Sequence, residues 1–527
     1  MGIYLNPGNR MFQRALNAQF YVDKSELLSF MNARLCLDSG FVAISRPRRF
    51  GKSVDANMLV AYYSRGCDSR AQFEGLKVAS DPSFEQHLNA HDVIRVDAQR
   101  LIGRGGGIQN LVETFKTCVL TEILRAWPEA QPYLEGDLAG ALELAADLKG
   151  SGFVFVIDEW DCPMREAAED EALQRRWLDF LRDLFKGAPY VDAAYMTGIL
   201  PIKKYGQHSA LNLFDEYSVV DPKDLAQLVG FNADEVERLC ARFGMDYAQM
   251  ERWYDGYLIG KGSEQLHVYN PNSVARAIGS GHYSNYWTST EAYEALQVYI
   301  DMDFDGIQQD LVAMLDGQHV PVNVAHFEND MRTIRSKNDV YTLLVHLGYL
   351  GYDEIERTVF IPNEEIRREF AVSVEAGARP ELARLVRDSR ELQRRTLEGD
   401  ATYVADAVRR AHNSAAGPHY YNDEQALRAA VKLAYIWSVD DYLRVDKLPG
   451  GRGYADLAFI PKLGSKLPPL VVELKWSKDA NAAIDQIRAR DYPVALAGLS
   501  GECVLVGITY REDTDEHECT IERIELG

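Results

Sequence analysis

The stretch "ISRPRRFGKSVDAN", Ile44 to Asn57, carries Gly51-Lys52-Ser53, the ending of a phosphate-binding loop of the form G-x-x-x-x-G-K-[ST], yet Arg46 stands where that pattern has its first glycine. Before it, "GFVAIS" (Gly40 to Ser45) is a short apolar run of the buried-strand kind. After it, "KSVDANMLVAYY" places Val54, Met58, Leu59 and Tyr62 on one helical face. Strand, loop and helix in that order are the setting the motif requires. In that setting the loop's backbone N–H groups and the helix N-terminus would cradle phosphates. Lys52 would reach the terminal phosphates, and the Ser53 hydroxyl would ligate Mg²⁺. Loss of the first glycine restricts the loop backbone, while Arg46, Arg48 and Arg49, with Pro47 and Phe50 among them, add positive charge around it. Taken alone, the tripeptide also reads as an exposed basic turn.

The second half of such a site is an apolar strand ending in acids, and "FVFVIDEWD" (Phe153 to Asp161) supplies it. Asp158 at the strand's end can hold Mg²⁺ through water, and Glu159 can polarise the attacking water. The competing reading is a buried strand followed by an acidic helix cap, since Asp161 and Pro163 also mark a helix start. A further strand, "VDAAYMTGILPI" (Val191 to Ile202), follows the amphipathic "EALQRRWLDFLRDLFKG" and places Thr197 to touch a γ-phosphate or the water, or simply at a strand-to-turn transition. With "HDVIRVDA" (His91 to Ala98) these strands, alternating with helices, predict a doubly wound parallel α/β domain.

The bulk properties fit this reading without deciding it. At 527 residues the chain exceeds one ordinary core, which predicts several domains. No apolar run approaches the ~18 residues of a membrane span. Neither a secretory nor a myristoylation signal is read at the start, and the seven cysteines lie dispersed without a C-x-x-C pair. These features predict a cytoplasmic protein with reduced thiols. The net charge of −22 argues against a binder that holds nucleic acid over its whole surface, but a local groove needs only a few Lys and Arg.

The segments "FYVDKSELL" (Phe20 to Leu28), "RPRRFGKS", "VIDEWDCP", "TGILPI", "WYDGY" (Trp253 to Tyr257) and "VYNPNSV" (Val268 to Val274) together resemble a bacterial family of AAA-ATPase-like proteins that usually ends in a PD-(D/E)XK nuclease-like domain. The resemblance covers most of residues 15–290. In that family an arginine-rich loop lacking the first glycine is usual, so the resemblance implies ATP as the ligand. It implies a P-loop NTPase domain of AAA/STAND-like kind over residues 1–220 and a nuclease-like α/β domain over 401–527; residues 221–400 between them read from their own pattern as mostly helical.

Within the middle region, "DPKDLAQLVGF" and "NADEVERLCARFG" show capping residues before apolar-periodic stretches. "DVYTLLVHLGYLGYDEIERTVFIPNEEIRREF" (Asp339 to Phe370) reads as helix, strand, turn, strand, helix, the order of a winged-helix-like module, over about 322–372. Such a module either contacts DNA or serves as a spacer. Glu354, Glu356, Glu364 and Glu365 in its wing and following helix favour the spacer. A charged helix with a break near Gly377 and Pro380 follows.

"GRGYADLAFIPKLGSKLPPLVVELKWSKDANAAIDQIRARDY" (Gly451 to Tyr492) reads as strand, turn, strand, helix, with "CVLVGIT" (Cys503 to Thr509) as the next strand. Asp456 lies on the first strand, and Glu473 and Lys475, two apart, share a face of the second. Such a trio suits phosphodiester cleavage: Asp456 and Glu473 would hold Mg²⁺ or Mn²⁺, and Lys475 would steady the attacking water and the phosphate. A surface salt-bridge ladder is the alternative, but Val471, Val472 and Leu474 mark a buried strand in which an unpaired Glu and Lys are costly. The stretch resembles the PD-(D/E)XK domain over roughly 420–509. That resemblance adds Gln486 and Tyr492 beside the metal site. It also suggests Glu424 as the leading acid, although a Tyr-His pair usual there is missing, and Asp446 at another commonly acidic place.

Two functions are predicted. One is an ATPase (Lys52, Ser53, Asp158, Glu159) coupled to a metal-dependent nuclease (Asp456, Glu473, Lys475, Gln486) acting on DNA. The other is a nucleotide-gated switch or scaffold whose tail binds a partner or DNA without cutting. Arg165, Arg175, Arg176 and Arg182 follow the acidic strand; an arginine donated in trans would require a homo-oligomer.

Overall fold

The computed structural model describes residues 2–202, 211–260, 265–287, 306–315, 317–325, 327, 334–376, 380–415, 424–450, 453–462, 465–476, 480–489, 496, 501–514 and 516–526. They form two compact units: Met1–Trp287 with Pro321–Ile366, and Thr288–Val320 with Arg367–Gly527. The stretch 221–400, read as a helical middle, is thus shared between the two.

The first unit is built on five parallel strands, β1 (Phe41–Ser45), β2 (Asp92–Asp97), β3 (Phe153–Asp158), β4 (Val191–Gly198) and β5 (Asp215–Tyr217), in the order β2-β3-β4-β1-β5. A parallel sheet needs both faces covered, which is why its strands are continuous apolar runs and β3 is buried throughout. On one face the helix Lys52–Tyr63 packs Met58, Leu59, Tyr62 and Tyr63 into a core with Val42, Ile44, Val154, Val156 and Tyr195. On the other, the amphipathic helix Glu171–Phe185 buries Trp177, Leu181 and Phe185, with Phe185 edge-on to Phe155 at 5.2 Å. In register, Ser45 pairs with Gly198, Ile44 with Thr197 and Asp97 with Asp158, so the loop after β1 and the acids ending β3 emerge at one edge of the sheet. The carboxyl edge of an open parallel sheet is where ligands bind.

The region read as mostly helical also holds a small antiparallel sheet, Phe231–Asn232, Leu266–Tyr269 and Tyr257–Ile259. These strands are too short to show a two-residue period. The helix Ala233–Phe243 follows, started by a capping box between Asn232 and Glu235. Further on, the helix Lys337–Leu347, the antiparallel strands Gly351–Asp353 and Thr358–Phe360, and the helix Glu364–Ala376 follow the winged-helix-like order. The first of these helices is buried from Val340 to His346. Its end, Gly348 (φ +86°), leaves no room for a side chain, because an added Cβ would lie 2.6 Å from Pro47. The helix end therefore packs against Pro47.

The second unit contains a five-stranded mixed sheet with strands Tyr442–Gly450, Gly453–Pro461, Leu470–Trp476, Gly501–Arg511 and Glu516–Leu526 in sequence order. Only the third and fourth run parallel, and the helix Ala480–Ala489 lies in their crossover. Gly507 permits that helix to sit close: a Cβ there would lie 2.6 Å from the Ala480 carbonyl oxygen. The outer strands Tyr442–Gly450 and Glu516–Leu526 add to the arrangement expected from sequence. The helices Glu364–Ala376 and Pro380–Glu398 flank the break expected from sequence, and Gly377 itself lies outside the described residues.

Among the described residues no helix is long and apolar enough to cross a membrane, and the seven cysteines are unpaired thiols.

Candidate functional site

At the edge of the first sheet, the turn into the helix Lys52–Tyr63 is made by Gly51 at φ +92°, a left-handed conformation that favours glycine. Arg49, at φ +69°, adopts it as well, a strained residue in the loop. Lys52 is buried and its ammonium donates to the carbonyl oxygens of Arg46 and Pro47, both at 2.8 Å. Burial lowers its pKa, an effect opposed by the nearby carboxylates of Glu159, Asp161 and Asp158. Ser53 is exposed toward the cavity described below.

The arginines around the loop divide. Arg46 turns into the core, donating to the carbonyls of Ser45 at 3.0 Å and Tyr217 at 2.9 Å, and burial brings its pKa down to about 10. Its side chain is therefore directed at the sheet, and Pro47 is buried beneath the Gly348 turn. Arg48 and Arg49 are half-buried; Arg49 donates to the carbonyl of Tyr286 at 2.7 Å and also lines the cavity. Phe50 meets Tyr257 edge-on at 5.1 Å.

The acids lie beside this loop. Asp158 is buried; its Oδ1 accepts the Thr197 hydroxyl at 2.5 Å, and Arg95 of β2 stands 3.9 Å from its Oδ2. Thr197, expected near a γ-phosphate, thus holds the strand acid. Glu159 turns out of the strand at φ +55° and faces the cavity. Its pKa is raised by burial, with Arg165 and Lys52 opposing. Of the four arginines after the strand, Arg165 pairs with Glu159 and Asp161, whereas Arg175, Arg176 and Arg182 lie on the following helix beside Asp179, Glu113 and Asp183.

A cavity of about 490 Å³ joins these groups to residues distant in sequence. Gly51, Lys52, Ser53 and Glu159 line it together with an apolar slot of Phe20, Tyr21, Val22, Phe231, Pro271 and Ala275. Asn272 borders the slot with a buried side-chain Nδ2 that has no hydrogen-bond partner among the described residues. Asp55 and Lys24 also reach the cavity. Burial holds the Asp55 carboxyl well above its usual range, against the pull of Lys24 and Lys52. Sequence reasoning missed the slot and Asn272, although "FYVDKSELL" and "VYNPNSV" were the segments that carried the family resemblance.

In the second unit, Leu457 pairs with Val472, which sets Asp456 beside Glu473 across the antiparallel strands. Asp456 accepts the Leu474 N–H at 2.9 Å and pairs with Arg428 of the helix Glu424–Ala434. Lys475 lies 3.0 Å from Glu473, and Gln486 donates to the same Glu473 oxygen. The other Glu473 oxygen is buried without a hydrogen-bond partner among the described residues. Burial and the neighbouring Asp456 push the Glu473 carboxyl up to about 7, with Lys475 opposing. Asp446, opposite Leu457 in the strand register, pairs with Lys432 at 2.8 Å, one helical turn from Arg428. The side chain of Glu424 and all of Tyr492 lie outside the described residues. Among the described residues no group of three or more His, Cys, Asp or Glu is gathered as a metal site.

Residues 10–207 match the AAA-ATPase-like family model, described as Predicted AAA-ATPase. These residues hold the five-strand parallel sheet typical of P-loop NTPases up to β4, with Lys52, Asp158 and Glu159 at its edge. Two solved structures are similar: a Walker-type ATPase of Pyrococcus abyssi, PABY2304 (12% identity, 66% of this chain and 94% of that one, TM-score 0.34), and the ORC2 protein of Aeropyrum pernix in ADPNP–ADP complexes (13%, 69% and 96%, TM-score 0.30). No curated protein matches the chain.

Proposed function

We propose that the first unit binds and hydrolyses ATP. The observation that carries this is the single cavity joining Lys52, Ser53 and Glu159 to the apolar slot of Phe20, Tyr21, Val22 and Phe231. The charged and hydroxyl groups suit a triphosphate, the apolar slot a flat base. The exposed Ser53 hydroxyl and the Asp158 carboxylate behind it suit a hydrated Mg²⁺, which would neutralise charge on the phosphate oxygens. Glu159 polarises the attacking water and Lys52 balances charge on the terminal phosphate. Calorimetric titration with ATP tests this: the wild type binds, and Lys52→Ala binds weakly or not at all. Equal affinity in both would overturn the reading.

For the second unit we propose a metal-dependent phosphodiesterase site acting on DNA. What supports it is the convergence of Asp456, Glu473, Lys475 and Gln486, with an unpartnered buried Glu473 oxygen suited to a divalent cation. Asp456 and Glu473 would hold the ion, whose chemistry is to activate water and neutralise developing phosphate charge. The alternative is a tail that binds a partner or DNA without cutting, favoured by the Arg428–Asp456 pair that already neutralises one acid. Plasmid and single-stranded DNA degradation with Mg²⁺ or Mn²⁺ separates the two, comparing wild type with Asp456→Ala and Lys475→Ala. Activity in the wild type alone supports cleavage; equal rates in all three oppose it. Coupling of the sites is proposed because one chain carries both, and Lys52→Ala abolishes any ATP dependence of cleavage if it holds.

A further inference from the structure

Glu159 is not free in its cavity. The Arg165 guanidinium pairs with it through Nη2, and through Nε donates to Asp161 Oδ2 at 3.1 Å. That Asp161 oxygen also accepts the backbone N–H groups of Ile199 at 3.0 Å and Leu200 at 2.8 Å, immediately beyond β4. Asp161 is fully buried, and the fit around it is tight: a Cβ on Gly198 would come within 2.8 Å of its other oxygen. The guanidinium therefore has one side fixed to the end of β4, the strand that supplies Thr197 to Asp158, and the other side on Glu159.

We infer that Arg165 is the positioning residue for Glu159, holding its carboxylate in one orientation beside Lys52 and Ser53 in the cavity. This rests on the ATPase reading of that cavity. A planar guanidinium bridging two carboxylates fixes direction as well as charge, which an ammonium does less well. The charged and titratable groups around Glu159 are Lys52 from the loop helix, Asp158 at the strand end, and Asp161, Cys162 and Arg165 after it. Arg165 and Lys52 are the cations of that set. A terminal phosphate would engage Lys52, which leaves Arg165, anchored on Asp161, as the fixed donor to Glu159.

The test is ATP turnover by wild type, Arg165→Gln and Arg165→Lys, each alone and with Glu159→Gln. In Arg165→Gln, kcat falls about 10- to 100-fold while KM for ATP changes little. In Arg165→Lys, which keeps the charge without the planar fork, kcat is intermediate. In the Glu159→Gln background neither substitution lowers kcat further. A wild-type kcat in Arg165→Gln, or a further loss in the Glu159→Gln background, overturns the inference. Should Arg165→Gln fail to fold, a wild-type kcat in Arg165→Lys overturns it instead. If wild type neither binds nor hydrolyses ATP, the ATPase reading fails; if it does both while Arg165 proves indifferent, only the positioning role fails.

Discussion

The Lys52 ammonium donates to the Arg46 carbonyl oxygen at 2.8 Å, so the cation of the phosphate loop is held by the loop's own backbone. On the proposed ATPase reading, a triphosphate exchanges one set of acceptors for another, and gains because its oxygens carry full charge. Lys52→Ala removes a charge-assisted contact worth about 1.5–3 kcal/mol, which corresponds to ATP binding about 10- to 100-fold weaker. Lys52→Arg does not restore binding, since a planar fork cannot occupy the pocket of a compact ammonium. Titration calorimetry with ATP measures both.

Lys24 and Glu235 form a buried ion pair at 2.7 Å, with side chains 8% and 9% exposed, and Lys24 also donates to the Gln227 carbonyl. Glu235 at the same time closes the capping box on Asn232. Lys24→Met strands the carboxylate and is expected to lower unfolding free energy by about 3–5 kcal/mol. Lys24→Met with Glu235→Leu costs less than the single change, because no charge is left alone. Urea unfolding of the three proteins measures the difference; a double variant weaker than Lys24→Met contradicts the argument.

Local chemistry made the front of the molecule readable. A strand, Gly51-Lys52-Ser53 and a helix lie within twenty-odd residues, and an apolar run ending in Asp158 and Glu159 marks its partner strand by itself. Strand β5 was not readable: Asp215, Glu216 and Tyr217 show no apolar run, and they join the sheet only because β1 presents an open edge. The strand Tyr442–Gly450 was hidden by Lys447, Pro449 and Gly450, which resemble a turn. Long-range pairings were invisible for a different reason. Arg165 on Glu159, Arg428 on Asp456, and Asn272 and Phe20 lining one cavity depend on how elements pack, which no local period encodes. The Asp456, Glu473 and Lys475 trio was legible because two-residue spacing on a strand dictates a shared face.

Asn272 is expected to set base preference. Its Nδ2 is buried at the apolar slot with no hydrogen-bond partner among the described residues. An amide offers a donor and an acceptor together, the pairing that suits N7 and the amino group of adenine. Asn272→Asp removes the donor and is expected to weaken ATP about tenfold or more while changing GTP little. Competition between ATP and GTP for the protein, repeated with 7-deaza-ATP, reads the effect. Unchanged ATP-to-GTP preference in Asn272→Asp counts against it.

Glu473 gives the second unit a pH signature of defined sign. Its folded carboxyl titrates at about 7, raised by burial and by Asp456, while an unfolded glutamate titrates near 4.3. Between those values the folded chain holds a proton that the unfolded chain has lost, so this group's contribution to stability is greatest below the unfolded value and diminishes as pH rises toward 7. Glu473→Gln, which cannot ionise, removes that slope. Divalent-ion binding has the opposite trend, since a cation requires the carboxylate and competes with the proton. Without metal, the melting temperature of wild type relative to Glu473→Gln is expected to fall from pH 5 to pH 7. With Mn²⁺ present, wild type gains stability as pH passes 7 and Glu473→Gln gains less. Parallel curves for the two proteins across that window would show that Glu473 is not the titrating group.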